Sequence, residues 1–351
     1  MARDDQPIDA EAAAEAAGLV YVGDDRPGIT RTRHGRAFVY YSADGTRITD
    51  RDIIDRLNSL AIPPAYTDVW ICPRENGHIQ ATGRDAKGRK QYRYHPKFRE
   101  TRDIAKYEHM LDFADALPGI RVAIDRDLAR RGLPRDKVLA TVVHLLETTM
   151  IRVGNADYAK ANNSFGLSTL RNRHVDIEGA ELRFNFKGKS GKTWRVAVRD
   201  RRVARIVKSL QELPGQQLFQ YVDEAGEACE VGSTDVNAYL REISGADITA
   251  KDFRTWTGTV LAALALAATE SADSERVLKV RLRDAIAEVA DALGNTPTVC
   301  RKAYIHPEVI AAFSEGDFAL RIGKAAAADN ALRPEERAVY NLLKRRLKKA
   351  G

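Results

Sequence analysis

Apolar and polar positions follow two rhythms along the chain, and the change from one to the other divides it. From about residue 19 to 95 the rhythm is that of strands and hairpins. Phe38, Val39, Tyr40 and Tyr41 run into Ala43-Asp44-Gly45, a turn signal. Thr49 with Asp52 three residues later predicts the capped start of a short helix carrying Ile53, Ile54, Leu57 and Leu60, which Ile62-Pro63-Pro64 ends. Two further strands are expected at 69–72 and 78–82. They precede a basic and aromatic stretch, 83–94, whose Asp85-Ala86-Lys87-Gly88 reads as a hairpin turn. Pro96 stands where a linker is expected. From Phe98 onward the period is helical, with Val138, Val142, Leu145 and Leu146 leading to Ile151. One β insertion interrupts it. Leu182, Phe184 and Phe186 alternate with Arg183, Asn185 and Lys187, a turn follows at 188–191, and Trp194, Val196 and Val198 alternate on the return. Lys189 therefore belongs to an exposed hairpin tip. Helices resume after about Arg201 and run to a basic end with Lys344, Arg345, Arg346, Lys348 and Lys349. The expected class is α+β: an acidic tail over 1–18, a small β-rich N-terminal domain over 19–97, and a mainly α-helical domain over 98–351 with a small antiparallel β insertion.

At 351 residues, with 44% hydrophobic and 30% charged positions, the chain has the length for two domains and the balance of an ordinary globular protein. The longest apolar stretch, 260–268, is too short to span a bilayer, and the first twenty residues are acidic rather than a basic-then-apolar signal, so a cytoplasmic, nucleoid-associated location without membrane contact is expected. Cys72, Cys229 and Cys300 form no CxxC pair and the histidines show no HxxxH spacing, which speaks against a disulfide or zinc site. Net charge is +7, and Asp4, Asp5, Asp9, Glu11 and Glu15 concentrate acid in the first eighteen residues. The remainder is thus more basic than the total, which suits a polyanionic partner.

Five short segments carry the candidate chemistry: Ile151-Arg152-Val153-Gly154-Asn155, Phe186-Lys187-Gly188-Lys189, Lys251-Asp252-Phe253-Arg254-Thr255, Gly294-Asn295-Thr296-Pro297 and Arg301-Lys302-Ala303-Tyr304. Each alone has a plain structural explanation. An arginine at a helix end is usually a surface ion pair, a lysine in a hairpin turn is usually solvated, and a tyrosine on an amphipathic helix is usually packing. Their joint order, Arg, Lys, Lys-x-x-Arg, Asn, Tyr, is what changes the picture.

That order resembles the catalytic domain shared by type IB DNA topoisomerases and tyrosine recombinases. It is closer to the topoisomerases of the poxvirus-like bacterial branch, because recombinases carry His-x-x-Arg where this chain has Lys251-Asp-Phe-Arg254, and because 83–94 resembles the DNA-facing hairpin of the poxvirus-type N-terminal domain. The resemblance runs from about Tyr21 to the carboxyl end. It implies relaxation of supercoiled duplex DNA by single-strand cleavage and religation, by a monomer that clamps DNA and needs no metal, ATP or other cofactor. Tyr304 would be the nucleophile, storing the broken bond as a 3′-phosphotyrosine ester. Arg152 and Arg254 would hold the non-bridging oxygens of a pentacoordinate transition state, a task that suits charged, planar, bidentate donors. Lys189 would protonate the departing 5′ oxygen. Asn295 is a departure, since the poxvirus enzymes carry histidine there; an amide can donate to a phosphate oxygen but carries no proton. Thr296 and Pro297 fit an N-cap and first-turn residue beside it. Gln91, Tyr92 and Tyr94 match major-groove contact positions, Arg84, Lys87, Arg89 and Lys90 would set phosphate contacts, and Tyr158 matches a position near the backbone. A site-specific tyrosine recombinase is the alternative enzyme, and a basic architectural DNA-binding protein the alternative without catalysis.

Overall fold

The computed structural model describes residues 10–35, 37–269, 274–324 and 331–350, with the backbone alone at 103–106, 108, 349 and 350. The chain divides into two compact units, Met1–Glu108 and His109–Gly351. The first begins with α1 (Ala10–Ala16), followed by β1 (Ile29–His34), β2 (Ala37–Tyr41), α2 (Arg51–Ser59), β3 (Thr67–Ile71), β4 (Ile79–Arg84) and β5 (Lys90–Tyr94). The strands form one antiparallel sheet in the order β2-β1-β3-β4-β5, which leaves β5 at an edge. Its core is Ile29, Tyr40, Leu57, Ile62, Val69, Ile71 and Ala81. β1 escaped the sequence reading because its Ile29-Thr-Arg-Thr-Arg-His34 has a single buried residue, Ile29.

Helix α2 starts one residue later than expected. Asp50, not Thr49, is the N-cap, its carboxylate accepting from the backbone of Asp52 at 2.9 Å and of Ile53 at 3.3 Å. Leu57 is the buried anchor of the helix, whereas Ile53, expected on the apolar face, is 39% exposed. Arg31 and Arg56 tie loops to the sheet from outside. Arg31 donates to the carbonyls of Ile62 (3.0 Å) and Pro63 (2.6 Å), and Arg56 to that of Cys72 (2.8 Å).

The expected acidic tail is, where described, a docked helix; Asp4, Asp5 and Asp9 lie outside the described residues. Ala10, Ala13 and Ala14, at helical i, i+3, i+4 spacing, bury against Leu19 and Phe98, while Glu11 and Glu15 face solvent. The sequence pattern underweighted alanine, which covers little area per residue but permits close approach. Pro96 likewise begins α3 (Pro96–Leu128) instead of a linker, since a residue without an N–H suits the first helical turn. The boundary between the units falls inside α3, after Glu108.

The second unit continues through α4 (Arg135–Thr149), α5 (Ala156–Asn162), β6 (Val175–Glu178), β7 (Glu181–Lys187), β8 (Thr193–Arg199) and α6 (Arg201–Gln211). After these come β9 (Gln220–Val222), β10 (Ala228–Glu230), α7 (Ser233–Ser244), α8 (Ala250–Ala267), α9 (Glu275–Leu293), α10 (Pro297–Ala303), α11 (Pro307–Ser314) and α12 (Pro334–Ala350). The chain is thus α+β, with small antiparallel sheets beside many helices. Helices α4 and α8 are buried on most sides, and Phe253 of α8 meets Phe113 of α3 edge-on at 5.0 Å. Arg121, itself buried, bonds Glu147 of α4 at 2.6 Å and Glu336 of α12 at 2.8 Å, so one paired cation joins three helices. Strands β6, β7 and β8 form the β insertion, with Phe186 opposite Trp194 and Lys187 opposite Thr193. No described helix is long and apolar enough to cross a membrane.

If the alanine face docks α1, Ala14→Asp places a charge in a fully buried contact and releases the helix. Hydrogen exchange should show lost protection at the Leu19 amide, which bonds the Ala14 carbonyl at 2.8 Å, while β3 and β4 stay protected. Unchanged protection at Leu19 would show that the alanine face does not hold α1.

Candidate active site

Four of the expected residues meet where helices end. Helix α4 stops at Thr149, and Met150 turns the chain in the left-handed region at φ 60°. The following loop carries Arg152. Its carbonyl accepts from Leu167 at 2.8 Å and that of Val153 from Ser168 at 2.6 Å. Gly154, at φ 102°, is required by both conformation and space, because a Cβ there would lie 2.9 Å from Thr169 Oγ1 and 3.1 Å from the Gly166 backbone. Asn155 then caps α5 through the amide of Tyr158 at 2.9 Å, which places half-buried Tyr158 directly after this loop.

Arg254 rises from the first turns of α8, behind a capping box in which Asp252 accepts from the Thr249 amide (2.8 Å) and hydroxyl (2.9 Å). It is 3% exposed. One terminal nitrogen donates to the carbonyl of Met150, and the other to that of Leu293 at 2.7 Å. Its guanidinium carbon lies 5.2 Å from the centre of the Tyr304 ring. The expectation of two free, bidentate hands therefore needs revision for Arg254, since each terminal nitrogen already spends one hydrogen on a backbone carbonyl.

Asn295 follows Gly294, the left-handed cap of α9, and its amide bonds the Ala290 carbonyl at 2.8 Å. Arg152 donates to Asn295 Oδ1, and its contact to the Gly294 carbonyl is 3.5 Å. Because a guanidinium has only donors, the amide oxygen must face it, and Asn295 Nδ2 is left buried with no oxygen or nitrogen acceptor among the described residues, beside the Cys300 thiol. Arg254 Nε is likewise buried without a hydrogen-bond partner among the described residues. Thr296 caps α10 and Pro297 opens it, as expected; Tyr304 is the residue that ends it. The Tyr304 carbonyl accepts from Thr259 Oγ1 of α8 at 3.3 Å, and Thr259 also accepts from the His306 amide at 3.0 Å.

Burial would raise the Tyr304 phenol, but the guanidiniums of Arg254 and Arg152 outweigh it and leave its pKa below the ordinary value. Burial first, and then the neighbouring charge of Arg152, pushes Arg254 down to about 10. Arg152, Arg254, Asn295 and Tyr304 thus form one contiguous group. Lys189 stands apart from it, exposed on the turn between β7 and β8, and makes no hydrogen bond or ion pair among the described residues.

In the first unit, the candidate DNA-contact residues lie on the β4–β5 hairpin, at the sheet edge. Strand alternation places Tyr92 and Tyr94 on one face, their rings stacked at 5.9 Å, and Gln91 on the other, where it donates to Asp85 at 3.0 Å. Tyr94 also packs against Phe98 at 5.4 Å, so it serves the alanine-rich cluster as well. The cations here have carboxylate partners: Arg84 with Asp68 at 3.4 Å, Arg89 with Asp85 at 2.6 Å, and Lys90 with Asp24 at 2.5 Å. Arg89 holds the Asp85 carboxyl down at about 2. Exposed Lys87 sits in the turn itself, its amide bonded to Asp85 at 2.9 Å.

Residues 95–328, more than half of the chain, match the family of the eukaryotic DNA topoisomerase I catalytic core, and residues 37–85 match the bacterial DNA topoisomerase IB N-terminal domain. The chain belongs to the type IB DNA topoisomerases. It is 34% identical over 286 residues to the DNA topoisomerase 1B of Acanthamoeba polyphaga mimivirus, covering 79% of this chain and 85% of that protein. It is 25% identical over 314 residues to the DNA topoisomerase I of monkeypox virus and to the DNA topoisomerase 1B of vaccinia virus strain Copenhagen, covering 81% of this chain and 91% of each relative. The resemblance drawn from the five segments is therefore borne out at the level of the family.

What the sequence did not yield in this topoisomerase are the groups that hold the others: the Met150 and Leu293 carbonyls and Thr259. Carbonyls leave no mark in a sequence, and Thr259 lies in an apolar helix whose pattern reads as plain core. The phenol, by contrast, gives a direct test. In an ultraviolet difference titration, wild type minus Tyr304→Phe, the missing tyrosinate should titrate below the ordinary value of about 10. Since cations favour the phenolate, Arg152→Ala should move that midpoint upward. A midpoint in wild type at or above the ordinary value would remove the two arginines from the field around Tyr304.

Proposed function

We propose that this topoisomerase relaxes supercoiled duplex DNA through a 3′-phosphotyrosyl intermediate at Tyr304, without ATP or metal. The observation that carries the proposal is the placement of one phenol against two guanidiniums, with its pKa drawn down despite burial. Tyr304 Oη forms a bond to phosphorus as the bond to the 5′ oxygen breaks, the phenol proton passing to solvent and the leaving oxygen taking a proton from Lys189. Religation is the reverse. The ester conserves the energy of the broken bond, so no nucleotide is consumed. Negative charge grows on the non-bridging oxygens between these states, and cations fixed beforehand stabilise it without reorganising. Arg152 can present its remaining donors directly. Arg254 supplies charge, its Nε–H and the unspent hydrogens of its terminal nitrogens, and Asn295 Nδ2 is a further donor.

The proposal extends to binding. The two units would close as a clamp around duplex DNA, as a monomer, with the β4–β5 hairpin entering the major groove edge-on, an arrangement in which an edge strand can use both Gln91 on one face and Tyr92 on the other. Arg84, Lys87, Arg89 and Lys90 would exchange their present partners for phosphates, and Tyr158 would lie at the backbone near Arg152. Relaxation of a plasmid in EDTA without nucleotide, and its loss together with the covalent adduct in Tyr304→Phe, is the expected result. Activity that needs a metal, or an adduct formed by Tyr304→Phe, would overturn the mechanism. A tyrosine recombinase would instead need a specific target site.

Asn295 separates hydrogen bonding from proton transfer. Asn295→Ala should slow single-turnover cleavage by roughly 10- to 1,000-fold, the upper part being typical for one lost transition-state donor. Asn295→His should keep substantial activity and alone gain a pH dependence between about 5 and 8, because imidazole titrates there and an amide does not. A fully active alanine variant would take Asn295 out of the site.

A further inference from the structure

Trp194 touches both the turn that carries Lys189 and the loop that carries Asn295. It opens the return strand β8 and is buried, 8% exposed, its ring parallel to Phe186 at 6.5 Å. Gly188 meets the N–H edge of the indole, where a Cβ would lie 2.6 Å from Cδ1 and 2.7 Å from Nε1. Gly294 meets the adjoining stretch of that edge, where a Cβ would lie 2.6 Å from Cζ2 and 3.2 Å from Cε2. Contacts this close exclude any side chain at either glycine unless the indole moves. Gly188 immediately precedes Lys189, and its amide closes the turn on the Lys192 carbonyl at 2.8 Å. Gly294 immediately precedes Asn295, and its carbonyl faces Arg152 at 3.5 Å.

We infer that Trp194 is a positioning residue for catalysis: a rigid spacer, pressed against Gly188 and Gly294, that sets the Lys189 turn at a fixed distance from the Asn295 loop. Lys189 needs such a device. It is exposed on a hairpin tip and has no carboxylate or carbonyl among the described residues to hold its ammonium, so its location depends on the backbone of the turn. The indole fixes that backbone through Gly188 and refers it, across one flat and incompressible side chain, to the loop carrying the donor for the phosphate oxygens. The proton donor and the charge-stabilising groups are thereby kept in register, and a displacement of about 1 Å in such a register can cost about 100-fold in rate.

This inference rests on Lys189 as the general acid, and one experiment separates the two. A 5′-bridging phosphorothiolate has a thiolate leaving group, which departs without a proton; single-turnover cleavage is measured on this and on ordinary DNA. Lys189→Ala should be slow on ordinary DNA and largely restored on the phosphorothiolate. Trp194→Ala should show the same pattern, slowed about 100-fold on ordinary DNA and restored to within a few-fold on the sulfur substrate, with non-covalent affinity for duplex DNA unchanged. Trp194→Phe, which keeps a flat ring but lacks the full N–H edge of the indole, should be intermediate and equally rescued; it carries the test should Trp194→Ala fold poorly. If Lys189→Ala is rescued and neither tryptophan variant is, or if both cleave ordinary DNA at the wild-type rate, Trp194 does not position the lysine. If Lys189→Ala itself is not rescued, the general-acid assignment falls and the role given to Trp194 falls with it.

Discussion

The active site depends on a buried cation that closes two helix ends. Arg254 donates to the carbonyls of Met150 and Leu293, the cap of α4 and the last residue of α9. Carbonyls at helix C-termini lack intrahelical partners and carry the negative end of the helix dipole, so a guanidinium placed there is stabilised twice, by hydrogen bonds and by the dipole field. This offsets the desolvation that holds Arg254 near 10. Each anchored carbonyl then directs the chain that follows it. Two residues beyond Met150 is Arg152, and two residues beyond Leu293 is Asn295. Tyr304 packs over the same guanidinium and is tied through its carbonyl to Thr259, one turn further along α8. A substitution at Arg254 would therefore disturb four positions at once, and its effect on rate would not measure a phosphate contact alone.

Positive charge is managed differently in the two units. The hairpin cations Arg84, Arg89 and Lys90 are paired with Asp68, Asp85 and Asp24, whereas Arg152, Arg254 and Lys189 make no ion pair among the described residues. Of the hairpin pairs only Arg84 with Asp68 is largely exposed and so worth little, whereas Asp85 and Asp24 are mostly covered. The unpaired cations of the active site have no such neutral resting arrangement. Arg152 and Arg254 repel each other, as the effect of Arg152 on Arg254 shows, and an anion beside them, phenolate or phosphate, relieves that repulsion.

Much of this was legible in the sequence, for reasons particular to each element. The β7–β8 hairpin was clear because Leu182, Phe184 and Phe186 are buried in strict alternation. The cap at Thr296 with Pro297 was clear because both residue types have local preferences at helix starts. Strand β1 was not, since four of its six residues are Thr or Arg and it is recognised only by its partners on either side. The sequence allows either a loose helix or a disordered segment at α1, because alanines beside acidic residues resemble a solvated stretch, and the docking partner Phe98, more than eighty positions away, shows which face is buried. At the active site, the order of charged and aromatic residues suggested which side chains matter, but not what holds them. Backbone carbonyls, a threonine in an apolar helix and an indole against two glycines act through distance, and distance between segments is not written in local pattern.

Asn295 shows how that holding shapes chemistry. Arg152 fixes the amide oxygen, which compels Nδ2 toward a buried position where it has no oxygen or nitrogen acceptor among the described residues. A buried donor left in that state costs roughly 1–3 kcal/mol. A phosphate oxygen that accepts from it removes the penalty, and removes most of it when the oxygen carries its greatest charge, in the pentacoordinate state. The same applies to Arg254 Nε. Under the proposed function, a phosphate oxygen that accepts from these donors would turn the stability lost by leaving them open into preference for the transition state. Histidine at position 295 would place a titrating ring beside Arg152, and the neighbouring charge would disfavour its protonated form. The amide avoids that conflict, because it donates in the same direction at every pH.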